Sequence, residues 1–327
     1  MPIAVTGSVA TDHLMSFPGV FSDSLVVDQL DKIALSFLVE DLEVRRGGCA
    51  ANIAFGLAAL GAAPVLVASV GEDFADYRSW LERHGVDCVS LHYSQTRHTA
   101  RFICTTDSSH AQIASFYAGA MTEARQIELG PIVARVGSVD LVVVGPNDPD
   151  AMLRHTQECR TRGLPFAADP SQQLAWSDGA AIRALVEGAT YLLSNEYEAA
   201  LIEQKTGWSA EQILEKVACR VVTLGAAGVR VERVGEAPIV VPAVGEVEAV
   251  EPTGVGDAFR AGFLAAVVGG LHLRTAAQIG CVLAAYVVEQ VGTQEYSFTR
   301  RGFVARLGQA YGDEAAAGVD AWLSGER

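Results

Sequence analysis

The 327-residue sequence is short of positive charge. Its 24 Lys and Arg stand against 39 Asp and Glu, which gives a net charge of −15 and an isoelectric point near 4.9. Because an acidic surface repels phosphate backbones, we expect no nucleic-acid partner. The chain also has no Cys-x-x-Cys pair. Its six scattered cysteines lack histidines at ligand spacing, which argues against structural zinc and indicates thiols in a reducing compartment.

Signals for export and for membrane insertion are missing as well. The N-terminal segment carries no basic residue and reaches a carboxylate at Asp12, so it does not resemble a signal peptide. The most apolar late stretch, 276–288, is shorter than a membrane span and is interrupted by Gln278. We therefore expect a cytoplasmic protein with no membrane partner.

Two common nucleotide-binding motifs are also absent. The chain has no Gly-Lys dipeptide, which excludes a Walker A loop. It has no Gly-x-Gly-x-x-Gly after a predicted strand, which argues against a dinucleotide site. Any nucleotide has to be held in another way.

Half of the residues are hydrophobic, and short apolar runs alternate with helical patterns. Because these runs are apolar throughout, the pattern predicts an α/β fold with a doubly wound, mainly parallel sheet covered by helices on both faces. Ligands of such sheets bind beyond the carboxyl ends of the strands. The predicted strands are 3–6, 65–70, 141–145, 166–169, 191–194 and 221–224.

Two segments interrupt the alternation, 14–46 and 89–116. Both leave the α/β pattern and return to it, and they are too long for ordinary loops. We predict that these two insertions form a small β-structured lid. The large α/β domain would then comprise 1–13, 47–88 and 117–327. The alternative, two long disordered loops, conflicts with the Leu, Phe, Ile and Val that the segments contain.

The strongest candidate for chemistry is the segment EPTGVGDAFRAG at 251–262. Gly254, Val255 and Gly256 lead into a predicted helix, so backbone N–H groups and the helix dipole would form an anion site there. Asp257, in the first turn, is placed to act as general base for a hydroxyl that attacks a phosphoryl group. The alternative is that Asp257 only complements the helix dipole.

Further polar residues follow the predicted strands. Asn195 and Glu198 could orient a hydrated Mg²⁺ or a phosphate oxygen, or they could form a helix cap. The glycines of the segment 223–228 permit either a phosphate-binding turn or a hairpin.

Other candidates lie near the start of the chain and in the predicted lid. Asp12 and Asn52 could bind two vicinal hydroxyls of a sugar, although each is also an ordinary turn or helix residue. Phe102 and Phe116 could sandwich a flat base, or they could form the core of the lid.

Together these segments resemble the ribokinase-like, PfkB-type carbohydrate and nucleoside kinases. GGCAAN at 47–52 and PTGVGDAFRAG at 252–262 are similar to the two signatures of that family. NEYE at 195–198 is similar to its NxxE element, and TLGAAG at 223–228 to its nucleotide loop. Within the family, stretches such as ATDHL, QIASFYAGAMTEAR and GTQE resemble the actinobacterial adenosine kinases.

The resemblance implies an ATP-dependent phosphorylation of the 5′-hydroxyl of adenosine, which yields AMP. Asp257 would be the base, and the amides of Gly254, Val255 and Gly256 would form the anion hole. The nucleoside would be bound by residues from several segments: Ser8, Asp12, Ser36, Gly48, Asn52, Phe102, Phe116, Gln172 and Gln173. ATP and Mg²⁺ would be bound by Asn195, Glu198, Thr223, Gly225 and Gly228, with Glu198 reaching Mg²⁺ through water.

The resemblance also bears on K⁺, on oligomeric state and on alternatives. Many relatives are activated by K⁺, so the resemblance implies K⁺ as a further cofactor. Glu251 stands where the family usually has Asp in the cation loop, which leaves K⁺ activation here open. Apolar lid residues such as Leu35, Phe37 and Leu38 favour a homodimer through the lids.

A kinase for a sugar or another nucleoside is one alternative. A non-catalytic nucleoside sensor is another, which the presence of Asp257 disfavours.

Overall fold

A computed structural model describes residues 2–24 and 36–325 of the chain. The strands of this part are β1 (Pro2–Thr6), β2 (Ala10–Phe17), β3 (Asp41–Gly47), β4 (Ala63–Val67), β5 (Ser69–Val70), β6 (His92–Tyr93), β7 (Ala100–Asp107), β8 (Gln112–Tyr117), β9 (Leu141–Val144), β10 (Phe166–Ala168), β11 (Tyr191–Asn195), β12 (Arg220–Thr223), β13 (Val229–Glu232) and β14 (Ile239–Val241).

The helices of the same part are α1 (Phe21–Ser24), α2 (Cys49–Ala59), α3 (Ala75–Arg83), α4 (Leu129–Val136), α5 (Pro149–Arg162), α6 (Gly179–Val186), α7 (Glu196–Thr206), α8 (Ala210–Lys216), α9 (Val255–Val268), α10 (Leu273–Val288), α11 (Arg300–Tyr311) and α12 (Asp313–Ser324). Among these described helices, none has the length and apolar character needed to cross a membrane.

The larger sheet of the described chain has the strand order β14-β13-β12-β11-β10-β9-β1-β4. The pairings from β12 to β4 are parallel, and β13 and β14 add an antiparallel edge. The predicted α/β fold with a mainly parallel sheet is therefore confirmed. Because the carboxyl ends of parallel strands share one edge, the residues that follow them are brought together.

Alternate residues of the central strands pack into opposite helical layers. Ile3 and Val5 of β1 pack with apolar residues of α2, α9 and α10, whereas Ala4 packs with those of α5, α6 and α7. Successive side chains of a strand point to opposite faces, and both faces of this sheet are buried. This is why the sequence shows continuous apolar runs rather than alternation.

The smaller sheet has the order β3-β2-β7-β8, and its pairings are antiparallel except between β2 and β7. Its strands lie at 10–17, 41–47, 100–107 and 112–117, whereas the predicted lid insertions are 14–46 and 89–116. The start of the second predicted insertion contains β6, which pairs with β5 in a separate two-stranded sheet. Leu35 lies outside the described residues, and the division into two domains stays a prediction.

The strand predicted at 65–70 is wrong as a continuous element. β4 ends at Val67, and Ser69 and Val70 form β5 in another sheet. The apolar run continues through the break, so hydrophobicity alone does not reveal it. Other elements of the described chain, among them β13, β14, α4 and α8, were not predicted, because each is short.

Helices α9 and α10 approach each other closely at two glycines. A Cβ atom on Gly262 would lie 2.8 Å from Cα of Gly280, and a Cβ atom on Gly280 would lie 2.8 Å from the ring of Phe259. Side chains at these positions would push the two helices apart. Since Asp257 lies in the first turn of α9, this contact helps to fix its position.

Two Gly→Ala variants test this contact. Alanine normally favours a helix over glycine by about 0.5–1 kcal/mol, so Gly318→Ala in α12, where a Cβ meets open space, should stabilise the protein. Gly280→Ala should instead lower the free energy of unfolding by about 1–3 kcal/mol through overpacking. Urea unfolding of both variants measures the difference, and an equal gain in both would contradict the close contact.

Candidate active site

A cleft of about 1140 Å³ is lined by residues from both the larger and the smaller sheet. Cavities that hold one small ligand typically measure about 300–1000 Å³, so this cleft has room for two ligands. Most of the predicted site residues line it: Ser8, Asp12, Gly48, Asn52, Phe102, Phe116, Gln172, Asn195, Glu198, Thr223, Gly225, Gly228, Gly254, Val255, Gly256 and Asp257.

Two predicted residues do not line this cleft. Gln173 lies on the 3₁₀ turn Ser171–Ala175, where successive side chains point about 120° apart, so the cleft is lined by its neighbour Gln172 and not by Gln173. Ser36 is exposed and precedes β3 in irregular chain. Gln173 was predicted from its position after the strand that ends at Asp169, which does not determine the direction of a side chain, and Ser36 was predicted from the resemblance alone.

The loop before α9 depends on a glycine. Gly254 caps the helix with φ of 78°, and a Cβ atom there would lie 2.8 Å from Cγ2 of Thr293. The first helical backbone hydrogen bond runs from the N–H of Ala258 to the carbonyl oxygen of Gly254, at 2.9 Å. The N–H groups of Gly256 and Asp257 therefore have no carbonyl partner within the helix, and they form part of the positive end of the helix dipole. This geometry suits an anion.

Asp257 is partly buried and is held from α2. Its Oδ2 accepts a hydrogen bond of 2.8 Å from Nδ2 of Asn52, and the nearby Cys49 thiol helps to lower its pKa. Burial raises the pKa of Asp257 to about 6, against the effects of Arg260 and Asn52, which lower it. Such a carboxyl is ionised at neutral pH and is still basic enough to accept a proton. The Asn52 contact could not be predicted from the sequence, because the two residues are 205 positions apart.

A buried ion pair lies behind this base, and sequence reasoning missed it. Arg260, one helical turn after Asp257, contacts Asp169 with Nε to Oδ2 at 2.5 Å and Nη2 to Oδ1 at 2.8 Å. The two side chains are only 8% and 1% exposed. Nη2 of Arg260 also lies 3.7 Å from Oε2 of Glu198. Arg260 also lines the cleft, and its charge is compensated by the Asp169 carboxylate behind it.

Four cleft residues form one row across the smaller sheet. Asp12 is opposite Arg45 on β3 and Phe102 on β7, and Phe102 is opposite Phe116 on β8. Directly opposed side chains lie on the same face of a sheet. The two phenylalanines therefore lie side by side and form one wall, so the interpretation that they sandwich a base from both sides is wrong. Burial raises the pKa of Asp12 to about 6.

The predicted nucleotide-binding residues also have local structural roles. Asn195 and Glu198 form a capping box on α7, with both side-chain to backbone hydrogen bonds at 2.8 Å. The segment after Thr223 is a hairpin between β12 and β13, so that alternative is correct for its backbone. Gly225 and Gly228 nevertheless line the cleft, and neither local role prevents contact with a ligand.

Other residues near the cleft hold its loops. Gly48, with φ of 93°, precedes α2, and a Cβ there would lie 2.6 Å from the Ser8 carbonyl oxygen. The Ser8 hydroxyl accepts the N–H of Cys49 at 3.1 Å. Oε2 of Glu251 accepts hydrogen bonds from Nη1 of Arg45 at 2.8 Å and from the N–H of Gly292 at 3.1 Å.

The chain matches the model of the family described as pfkB family carbohydrate kinase over residues 21–300. It is 30% identical over 263 residues to a nucleoside kinase of Methanocaldococcus jannaschii, covering 80% of this chain and 85% of that one. It is 31% identical to a nucleoside kinase of Methanothermobacter thermautotrophicus, covering 82% and 86%.

Solved structures agree with these matches. The Burkholderia thailandensis nucleoside kinase in complex with inosine is 32% identical and superposes with a TM-score of 0.83, covering 95% of this chain and 99% of that one. The same nucleoside kinase in complex with ADP-inosine gives a TM-score of 0.81 at 34% identity, covering 95% and 96%.

The buried ion pair behind Asp257 gives a test of stability. Arg260→Met leaves the Asp169 carboxylate buried without its partner and should cost about 3–5 kcal/mol of unfolding free energy. The double variant Asp169→Asn/Arg260→Met removes the uncompensated charge and should recover most of this loss. Urea unfolding at pH 7.5 compares them. A double variant no more stable than Arg260→Met would contradict the pairing.

Proposed function

The chain belongs to the pfkB family of carbohydrate kinases and is a phosphotransferase that acts on an alcohol acceptor, and from this premise we propose that it transfers the γ-phosphoryl group of ATP to the 5′-hydroxyl of adenosine. The observation that carries the proposal is the position of Asp257. It lies in the cleft at the N-terminus of α9, beside the amides of the preceding glycine turn.

In this proposal Asp257 accepts the proton of the attacking hydroxyl. Its pKa of about 6 leaves it ionised at neutral pH. The amides of Gly254, Val255 and Gly256 stabilise the negative charge of the transferring phosphoryl group, together with the dipole of α9. Phosphoryl transfer asks the protein mainly for positioning and for stabilisation of charge, and a helix N-terminus supplies both without a Walker A lysine.

The nucleoside is assigned to the side of the cleft formed by the smaller sheet. The Asp12 carboxylate is next to Phe102 in the cross-strand row, so a sugar hydroxyl on Asp12 puts the attached base against the wall of Phe102 and Phe116. These rings are 36% and 52% exposed and are available for stacking. Support for a nucleoside comes from the nucleoside kinases that the chain resembles. Adenosine itself rests on the sequence resemblance.

Mg²⁺ and K⁺ fit the described residues differently. Glu198 has one oxygen in the capping box and its other oxygen 3.3 Å from the Ser171 hydroxyl, which suits a water-mediated contact to Mg²⁺ held by ATP phosphates. Mg²⁺ would there neutralise phosphate charge. Glu251 does not fit a K⁺ site, because its carboxylate already bonds the Arg45 guanidinium. No step here uses K⁺.

Two further parts of the proposal concern the oligomeric state and the location of the protein. Leu38, which is 86% exposed, and exposed residues of the smaller sheet such as Leu42 support a homodimer through the lids. Phe37 does not contribute, because its ring packs against Phe17 and Phe21. We also expect a cytoplasmic location. Both stay predictions.

The role of Asp257 is tested with Asp257→Asn, which keeps the shape and removes the base. Turnover should fall by about 10²–10⁴-fold, while the dissociation constant for the nucleoside, measured by calorimetry, should change little. In the wild type, kcat should fall tenfold per pH unit below about pH 6, since the protonated carboxyl cannot accept a proton. Near-normal turnover of Asp257→Asn would remove this residue from the mechanism.

The acceptor is tested with a panel of adenosine, inosine, cytidine, ribose and fructose with Mg·ATP, in the presence and absence of K⁺. We expect adenosine to give the highest kcat/KM. Phe102→Ala and Phe116→Ala should each raise the KM for adenosine by about 5–150-fold, the value of one lost stacking contact. The same variants should leave the KM for ribose unchanged, which is the matched control. Preference for a free sugar would favour the sugar-kinase alternative instead.

A further inference from the structure

Behind the cleft, a buried network of polar side chains leads away from Asp257. Nε2 of Gln294 donates one hydrogen bond to Oδ1 of Asn52 at 2.9 Å and another to the Tyr77 hydroxyl at 2.6 Å. Oε1 of Gln294 accepts the indole N–H of Trp80 at 3.1 Å. Gln294 is 1% exposed and does not line the cleft, and neither the sequence nor the proposed function gives it a role.

The donors and acceptors of this network allow one orientation of Gln294. The indole nitrogen of Trp80 can only donate, so the carbonyl oxygen of Gln294 has to face it. The Tyr77 hydroxyl donates to the carbonyl oxygen of Gly47 at 3.0 Å, so toward Gln294 it acts as an acceptor. Both neighbours therefore turn the NH₂ group of Gln294 toward Asn52.

The orientation of Asn52 follows from that of Gln294. An NH₂ group facing Asn52 requires its oxygen there and places its own N–H groups toward Asp257, where the bond measures 2.8 Å. Thr293 does not decide the matter, because its hydroxyl lies 2.9 Å from both Oδ1 of Asn52 and the carbonyl oxygen of Arg46. With Oδ1 of Asn52 toward it, the hydroxyl can donate to only one of these two acceptors, whereas with the Asn52 NH₂ toward it the hydroxyl would accept from Asn52 and donate to Arg46. The orientation is therefore set by Gln294 and not by Thr293.

We propose that Gln294 is a positioning residue for the base: it holds the Asn52 carboxamide with its N–H toward Asp257 in both protonation states of that carboxyl. Without Gln294, Asn52 could turn over when Asp257 is protonated and accept the new O–H on its oxygen. With Gln294 in place Asn52 offers only N–H groups to Asp257, so the new O–H of the protonated acid finds no acceptor on Asn52. The arrangement favours the ionised base and release of the proton after transfer.

Other charged or titratable groups also face Asp257. Arg260 lies on the same helix, Cys49 on α2, Asp169 after β10, and Tyr296 after α10. Arg260 favours the ionised form of Asp257 and Asp169 disfavours it. In the described part of the chain the side chain of Gln294 bonds to Asn52, Tyr77 and Trp80, so its substitution leaves the number and charge of these four groups unchanged.

The inference rests on the proposed function, and its test is the acid limb of the kcat–pH profile at saturating nucleoside. Gln294→Met places an unbranched side chain of similar length there but releases Asn52. The acid limb should therefore shift to higher pH by up to about one unit, the shift expected when the protonated acid gains one net hydrogen bond. Gln294→Glu presents only acceptors when ionised and draws the Asn52 N–H away, so the shift should be larger.

The matched control is Tyr77→Phe. It also removes a buried hydrogen bond to Gln294, but Trp80 still fixes the orientation of that side chain, so the acid limb should stay within a few tenths of a pH unit of the wild type. Direct titration of the Asp257 carboxyl by ¹³C NMR, assigned with Asp257→Asn, should show the same order and needs no substrate.

The outcomes separate the two proposals. A wild-type protein that phosphorylates neither nucleosides nor sugars overturns the proposed function, while the NMR titration still decides on Gln294. If both Gln294 variants titrate like the wild type, or if Tyr77→Phe shifts as much as Gln294→Met, the positioning role is wrong. A shift confined to the Gln294 variants supports it.

Discussion

The proposed reaction needs the Asp257 carboxylate to stay ionised although it is partly buried, and the groups around it act on that balance. Burial and the neighbouring Asp169 raise its pKa, whereas Arg260 and the N–H of Asn52 lower it. The N-terminus of α9 adds partial positive charge. The result is a pKa of about 6, low enough for ionisation at neutral pH and high enough for useful basicity.

The fold brings the groups that set this balance to one edge of the larger sheet. Asn52 comes from α2, Asp169 follows β10, and Asp257 begins α9. The close contact of α9 with α10 at Gly262 and Gly280 fixes the helix that carries the base. The fold thus supplies the position of the base, and the side chains around it supply its charge.

Part of this arrangement was predictable from sequence because its signals are local. A glycine turn and an acid at the start of a helix are contiguous, and continuous apolar runs indicate a buried parallel sheet. The contacts that tune the base are not local. Arg260 and Asp169 are 91 residues apart, and Gln294 and Asn52 are 242 apart. The register that puts Phe102 beside Phe116 is likewise not written in either strand alone.

The two sides of the cleft are held with different strengths. Strand β3 is tied to the larger part by the Arg45–Glu251 and Arg46–Glu295 ion pairs, whose side chains are partly exposed, and such pairs contribute about 0–1 kcal/mol each. The bonds around Asn52 and Gln294 are buried, and each one broken there leaves an unpaired polar group at a cost of about 1–3 kcal/mol. The end of β3 is also held by buried bonds, because the carbonyl oxygens of Arg46 and Gly47 accept hydrogen bonds from the Thr293 and Tyr77 hydroxyls. A displacement of this end of the strand therefore has to break buried bonds beside Asn52 as well as the exposed ion pairs, so the position of β3 and the surroundings of Asp257 are coupled.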